Sequence, residues 1–318
     1  MGKRALRAIA VLEPPLRVGF AGLGLMGLPM ARNLAGADLL AGVYNRTQSR
    51  AVEFAAATGI PACRSPAELA ERTNVLIVMV ADDEASWDLF AGAGGLGFAE
   101  TIRPGSVAVQ MSTVSLGHIE QLTELLGQHG CSLLDVPVSG SVSMAEQATL
   151  TLMAGGEESD LRAVEPVLRV LGTNVFHLGP LGSGAAMKLA VNAVVYGLNE
   201  ALAEGLVLAE RAGIPRSSAY EVFMASAAAA PFVHYRQAAF EQPDEAPVGL
   251  RLELAAKDLG LILDLAAELG QALPQAELNA QVVGQAVAAG FADSDLALVA
   301  QYLRETGQMP ITTSKEPS

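Results

Sequence analysis

The chain has 318 residues, 51% of them hydrophobic and 17% charged, with a formal net charge of −14. That length exceeds one hydrophobic core, and that composition excludes a disordered chain, so a globular protein of two domains is expected. No Lys/Arg cluster interrupts the acidic balance, which excludes a nucleic-acid binder, and a 5% aromatic share leaves Ala, Leu and Val to build the cores.

Residues 1–15 (MGKRALRAIAVLEPP) read as a loose leader ending at Pro14 and Pro15. Their apolar run is too short for a signal peptide, and no small-residue cleavage site follows. From residue 16 to 180 short β-branched runs alternate with helical stretches. RVGFAG is a strand, LMGLPMARNLAG a helix and LLAGVYN a second strand. A helix over Gln48–Thr58 and a short third strand, ACR, come next. SPAELAERT is a helix capped by Ser65 with Pro66 at its first position. VLIVMV is apolar throughout, as expected of a strand buried on both faces. SVAVQMS, SLLDVPV and TLTLMAGG continue the pattern. Such alternation requires crossover connections, hence a sheet that is parallel at least at its centre.

Beyond Gly179 the strand signal stops. Residues 183–212 are helical without a break, about 45 Å at the standard rise, and end at Gly213 with Pro215 beyond. Further helices are expected over residues 248–269, 274–289 and 294–304. An all-α domain therefore fills residues 181–310, with a frayed tail over 311–318. The apolar stretch after Met187 carries Lys188, Glu200 and Glu204, which marks a buried helix and no membrane span. Cys63, Cys131 and the four scattered histidines fit no metal or disulfide spacing, which points to a reducing, cytoplasmic setting without a metal.

GLGLMG (Gly22, Leu23, Gly24, Leu25, Met26, Gly27) stands directly between the first strand and the first helix. Gly22 permits the tight turn, Gly24 lets a pyrophosphate approach the backbone, and Gly27 allows close helix–strand packing. In that context the pattern marks the dinucleotide-binding Rossmann arrangement. At the end of the second strand, where a carboxylate would accept the ribose hydroxyls of NAD, the chain has Asn45, Arg46 and Thr47. Arg46 can pair with a 2′-phosphate and Thr47 can donate a hydroxyl, so NADP (NADPH) is expected over NAD. The competing reading is a polar turn with one solvated arginine.

Lys188 and Asn192 are four residues apart and share one face of the long helix. Apolar neighbours surround Lys188 in the sequence, and desolvation suits a lysine to proton transfer near neutral pH. The bland alternative is a lysine snorkelling from a helix start.

Together GLGLMG, MSTVS, DVPVSGS, GSGAAMKLAVN and LAAKDLGLILDLA resemble the β-hydroxyacid dehydrogenases, over nearly the whole chain. These include 3-hydroxyisobutyrate dehydrogenase and the succinic semialdehyde/glyoxylate reductases. The resemblance implies an α/β Rossmann domain, then an all-α helical domain of the 6-phosphogluconate dehydrogenase type that mediates assembly into a homodimer or homotetramer. It implies that Lys188 is the acid/base and Asn192 its substrate-orienting partner. Ser139, Gly140 and Ser141 match the loop that takes the substrate carboxylate. Val80, Ala81 and Thr113 match cofactor-lining positions, and Lys257 a nicotinamide-side lysine. By their residues alone, VSGS could equally be an ordinary turn and Lys257–Asp258 an exposed helix pair.

The chain departs from the family pattern at Ser141 and Ala148, where glycine is usual, and both changes add bulk beside the carboxylate loop. The expected substrate is a small anionic 3- or 4-hydroxy acid or its semialdehyde. The alternatives are NAD-linked 3-hydroxyisobutyrate oxidation and a non-catalytic dinucleotide-binding assembly module.

Overall fold

The computed structural model describes residues 15–93 and 95–307. The expected leader, but for Pro15, and the expected tail over 311–318 lie outside the described residues. The chain divides into two compact units, the first ending at Val191 and the second beginning at Asn192.

The first unit runs β1 (Val18–Ala21), α1 (Gly27–Gly36), β2 (Leu40–Tyr44), α2 (Gln48–Thr58), α3 (Pro66–Glu71), β3 (Val75–Val78), α4 (Asp83–Trp87), α5 (Phe98–Thr101), β4 (Val107–Gln110), α6 (Leu116–Gln128), β5 (Ser132–Asp135), β6 (Val138–Ser139), α7 (Val142–Glu146), β7 (Leu150–Gly155), α8 (Glu158–Leu168) and β8 (Gly172–Gly179). Strands β2, β1, β3, β4 and β5 pair in that order, all parallel. β7 then joins β5 antiparallel through Asp135 and Gly155, with β6 antiparallel and β8 parallel to it.

Helices cover both faces of the parallel part, and the side chains divide with period two. Val75 and Ile77 enter one apolar cluster with Phe20, Val109 and Leu134. Leu76 and Val78 enter the other with Ala21, Ala108 and Leu133. The third strand expected at residues 62–64 shrinks to one parallel bridge, Val43 to Ala62. Pro61 has no N–H to extend the ladder, and Ser65 already caps α3 by accepting from Glu68 N.

The long helix α9 (Ser183–Arg211) continues from the first unit into the second. Gly213, at φ +87°, closes it, and Ile214 N donates back to Ala209 O at 3.0 Å. α10 (Arg216–Ala225), α11 (Pro231–Glu241), α12 (Leu252–Glu268), α13 (Pro274–Ala286) and α14 (Val299–Thr306) follow. α10 and α11 lie outside the helices expected from the sequence, where PRSSAY and EQPDEAP read as punctuation. Here Pro215 is the cap residue of α10 and Pro231 stands in the first turn of α11, where a missing N–H costs nothing. α13 also stops earlier than expected, at Ala286, and passes into a π-turn containing Gly290 at φ +101°. The segment expected to be helical from residue 294 opens instead on a turn. There Asp295 pairs with Arg236 and accepts from Gly249 N at 2.8 Å and Ala297 N at 2.9 Å.

Glu200 on α9 is buried, and its Oε1 has no hydrogen-bond partner. Burial, with Glu204 one turn away, pushes its carboxyl up to about 8. The folded state therefore binds a proton that the unfolded chain has released above the ordinary carboxyl range. The favourable contribution is complete below the unfolded value and is lost as pH rises towards 8. Urea unfolding is expected to show stability falling between pH 5 and 8, by up to about 1.4 kcal/mol per unit at the steepest. Glu200→Gln should flatten that slope; an unchanged slope would refute the assignment.

Candidate active site

The glycine loop begins where β1 ends. Gly22 sits at φ +100° and donates to Tyr44 O at 3.0 Å, and a Cβ there would overlap Met79 O. A Cβ at Gly27 would overlap Gly22 O, so Gly27 is required by the loop's own packing and Gly22 by the close approach of the chain that follows β3. Gly24 differs, because a Cβ would meet nothing within 4 Å. Open space above the backbone, and a helix start at Met26 that no side chain caps, make the cradle a pyrophosphate requires. The loop therefore fits a dinucleotide.

Asn45 acts first on the protein itself. Its Oδ1 accepts from Leu23 N at 2.9 Å and its Nδ2 donates to Thr47 O at 2.9 Å, tying the end of β2 to the glycine loop. Arg46 and Thr47 are exposed just before α2, whose first turn holds no acidic residue and whose start has no side-chain cap.

The ends of β3 and β4 are joined by buried polar groups. Val80 N donates to Ser112 Oγ at 2.8 Å, and Ser112 N to Gln110 Oε1 at 3.0 Å. Gln110 Nε2 donates to Ser86 Oγ at 2.6 Å, which lies 2.8 Å from His118 Nε2. Burial holds His118 below its ordinary value, which favours the neutral ring, against the opposing charge of Asp83. These bonds fix Val80 and the residues beside Ala81 and Thr113. The chain of donors joins residues up to 32 positions apart, and sequence reasoning did not find it.

Ser139 closes β6, and Gly140 follows at φ +149°, where a Cβ would press on Leu150 and Met144. Ser141 caps α7: its Oγ accepts from Met144 N at 3.2 Å and lies 2.8 Å from Ser143 Oγ. Ala148 lies at φ +57°, in the left-handed region that favours glycine. The departure at that position therefore strains the backbone as well as adding a methyl group.

Lys188 is half-buried on α9, five residues after the helix begins. Asn192 is buried one turn later, and its Nδ2 donates to Asp258 Oδ2 at 2.8 Å. Tyr196, a further turn on, donates its hydroxyl to the same oxygen at 2.6 Å. Lys257 Nζ lies 2.8 Å from Asp258 Oδ1. Burial, reinforced by the Asp258 charge, holds the Tyr196 phenol well above its ordinary value, so it stays a donor. Lys257–Asp258 is thus no exposed pair, since Asp258 is a buried acceptor for three side chains. Asp258 and Tyr196 escaped the sequence reading, although the spacing Lys188–Asn192–Tyr196 places all three on one helix face.

A glycine-cradled loop at the first strand of a parallel sheet, followed by an all-helical unit, is the build of a nicotinamide dinucleotide-dependent dehydrogenase. Residues 17–179 match the NAD binding domain of 6-phosphogluconate dehydrogenase. Residues 182–303 match the NAD-binding domain of NADP-dependent 3-hydroxyisobutyrate dehydrogenase. A probable 3-hydroxyisobutyrate dehydrogenase of Mycobacterium bovis is 33% identical, over 90% of this chain and 97% of its own. Glyoxylate/succinic semialdehyde reductase 2 of Arabidopsis thaliana, a chloroplastic protein, is 31% identical over 90% of this chain and 79% of its own. The crystal structure of 3-hydroxyisobutyrate dehydrogenase from Salmonella typhimurium superposes with a TM-score of 0.83 at 27% identity, covering 91% of this chain and all of that one. The chain belongs to the β-hydroxyacid dehydrogenase family and is an NAD(P)-dependent hydroxyacid dehydrogenase. Among the described residues no helix is long and apolar enough to cross a membrane.

Proposed function

We propose that the protein interconverts a small 3- or 4-hydroxy acid and its semialdehyde or keto acid, with NADP(H) as the preferred dinucleotide. The observation that carries the reading is Lys188, half-buried near the start of a helix that begins shortly after the last strand of the dinucleotide-binding sheet. When bound, the nicotinamide supplies or accepts the hydride. The residues of the chain do the rest. Lys188 gives a proton to the substrate oxygen in reduction and takes it back in oxidation, and its charge stabilises the developing oxyanion. Ser139, Gly140 and Ser141 offer hydroxyl and N–H donors to the substrate carboxylate. Asn192 orients the substrate from the same helix face as Lys188, its amide held by Asp258.

Arg46 and Thr47 support the NADP(H) preference, being exposed at the end of β2 with no acidic residue in the turn that follows. NAD-linked oxidation of 3-hydroxyisobutyrate is the second reading, its substrate being the one in the name of the mycobacterial relative. Steady-state turnover over a panel of semialdehydes and hydroxy acids, with each dinucleotide, separates the two. NADPH is expected to win, and Arg46→Ala should raise its KM at least tenfold, as for an ion pair worth about 1.5–3 kcal/mol. Equal use of both dinucleotides with no effect of Arg46→Ala would reject the preference.

We also propose self-association through the helical unit. Val194 and Leu208 on α9 are 64% and 73% exposed in the single chain, and Leu269 at the end of α12 is 73% exposed. A second copy would cover such apolar surface. A monomer by light scattering at micromolar concentration would contradict this.

A further inference from the structure

Asp135 is the last residue of β5, fully buried, and no role in the chemistry has been given to it. Its carboxylate faces backbone: Oδ1 accepts from Gly182 N at 2.9 Å and Oδ2 from Ala185 N at 2.7 Å, with Gly184 N contributing. Gly184 and Ala185 supply two of the first N–H groups of α9, which have no carbonyl of their own helix to bind, and Gly182 stands just before the helix. A carboxylate from 47 to 50 residues away thus caps the helix that carries Lys188.

The cradle is cut to that carboxylate. A Cβ at Gly155 would overlap Asp135 Oδ1, and one at Gly184 would overlap the main-chain oxygen of Asp135 and approach Oδ2 to 2.9 Å. Gly155 is also the residue paired with Asp135 across β7 and β5. Two glycines therefore leave room for the acid. Burial raises the carboxyl above its ordinary value, while the helix N–H groups oppose that shift. Four residues beyond Asp135 stands Ser139, so one strand end is tied both to the helix start and to the loop proposed to hold the substrate.

We propose that Asp135 is a positioning residue for the reaction: by capping α9 it sets the height and rotation of Lys188 relative to the Ser139–Gly140 loop. Asp135 touches no reacting atom and acts through Lys188, so the proposal rests on the acid/base reading of Lys188. A helix start released from its cap need shift by only about 1 Å to cost on the order of 100-fold in rate.

The test is Asp135→Asn, which keeps the shape and turns one acceptor into a donor facing backbone N–H groups. Asp135→Ser, which is shorter and can accept one N–H through its hydroxyl, is the second variant. Both are assayed as full-length enzyme, with circular dichroism and dinucleotide fluorescence titration to establish the folded fraction. Expected for the folded protein are a kcat lowered 10- to 100-fold, a dinucleotide Kd within twofold of the parent, and a solvent isotope effect on kcat larger than the parent's, because proton transfer has become slower. Should Asp135→Asn not fold, the same readouts on Asp135→Ser decide. A folded variant with kcat and isotope effect within twofold of the parent overturns the proposal, as does a loss of dinucleotide binding that accounts for the lost rate. Lys188→Met, run alongside, keeps the two ideas apart. If it retains kcat, the acid/base reading fails; if it abolishes turnover while Asp135→Asn does not slow it, only the positioning fails.

Discussion

Lys188→Met is expected to lower kcat/KM by at least about 10²–10⁴-fold, the usual contribution of a positioned acid or base. Loss of the ammonium beside the developing oxyanion adds to that figure. Methionine has similar length and a helix propensity close to that of lysine, so α9 should persist. The glycine loop does not depend on the substituted side chain, since its turn is built from Gly22, Gly27 and the Asn45–Leu23 bond. Dinucleotide affinity should accordingly stay within about twofold, a few tenths of a kcal/mol. The pH profile of kcat/KM should lose one limb. A folded variant that binds dinucleotide and keeps near-parental kcat/KM would return Lys188 to a lysine at a helix start. The proposed reaction would then lack a proton donor.

What could be read from the sequence was whatever its own local periodicity specifies. VLIVMV declared a strand buried on both faces, and the structure divides it between two apolar clusters residue by residue. GLGLMG declares its turn because three glycines at that spacing serve three different steric needs: Gly27 packs on Gly22 inside the loop, while Gly22 makes room for Met79 beyond a distant strand. Ser65 and Pro66 declared a helix start for the same local reason. What stayed hidden depends on partners far along the chain. Asn45 reads as a neutral residue at the cofactor turn, and its bonds to Leu23 and Thr47, which tie that turn to the glycine loop, come only with the fold. Asp135 looked like the end of a strand, because its partners lie 47 and 50 residues away.

The helical unit was less legible for a second reason. Proline starts a helix as readily as it ends one: Pro215 reads as a break after the long helix, yet it caps α10. The pair Lys257–Asp258 was ambiguous because a charged dipeptide on a helix reads the same at a surface as at a buried network. Only the fold brings Asn192 and Tyr196, more than 60 positions earlier, onto that carboxylate.

That carboxylate carries the second large expected effect. Asp258→Ala should destabilise the helical unit by about 3 kcal/mol, the scale of breaking a buried, hydrogen-bonded charge. The sign follows from what remains. Asn192 Nδ2 and Tyr196 OH lose their shared acceptor in a place where water does not easily replace it, at about 1–3 kcal/mol per orphaned donor. Removing a buried carboxylate also removes its own desolvation penalty, so the net cost stays below the sum of the bonds. Lys257 contributes least, because its side chain is 24% exposed and can be solvated. Tyr196→Phe takes away one donor and leaves the acceptor with two, so it should cost about 1 kcal/mol. The coupling has its own signature: Asn192→Ala combined with Asp258→Ala should cost less than the two singles added, by about 0.5–3 kcal/mol, because the bond between them is lost in each. Activity should separate from stability in the same variants. With its amide no longer held, Asn192 should lose its orienting role, and KM for the hydroxy acid should rise at a temperature where Asp258→Ala is still fully folded. Urea unfolding measures the first effect and initial rates the second. Asp258→Ala within about 0.5 kcal/mol of the parent, the range of an ordinary surface substitution, would mean the three donors find other acceptors and the carboxylate organises nothing.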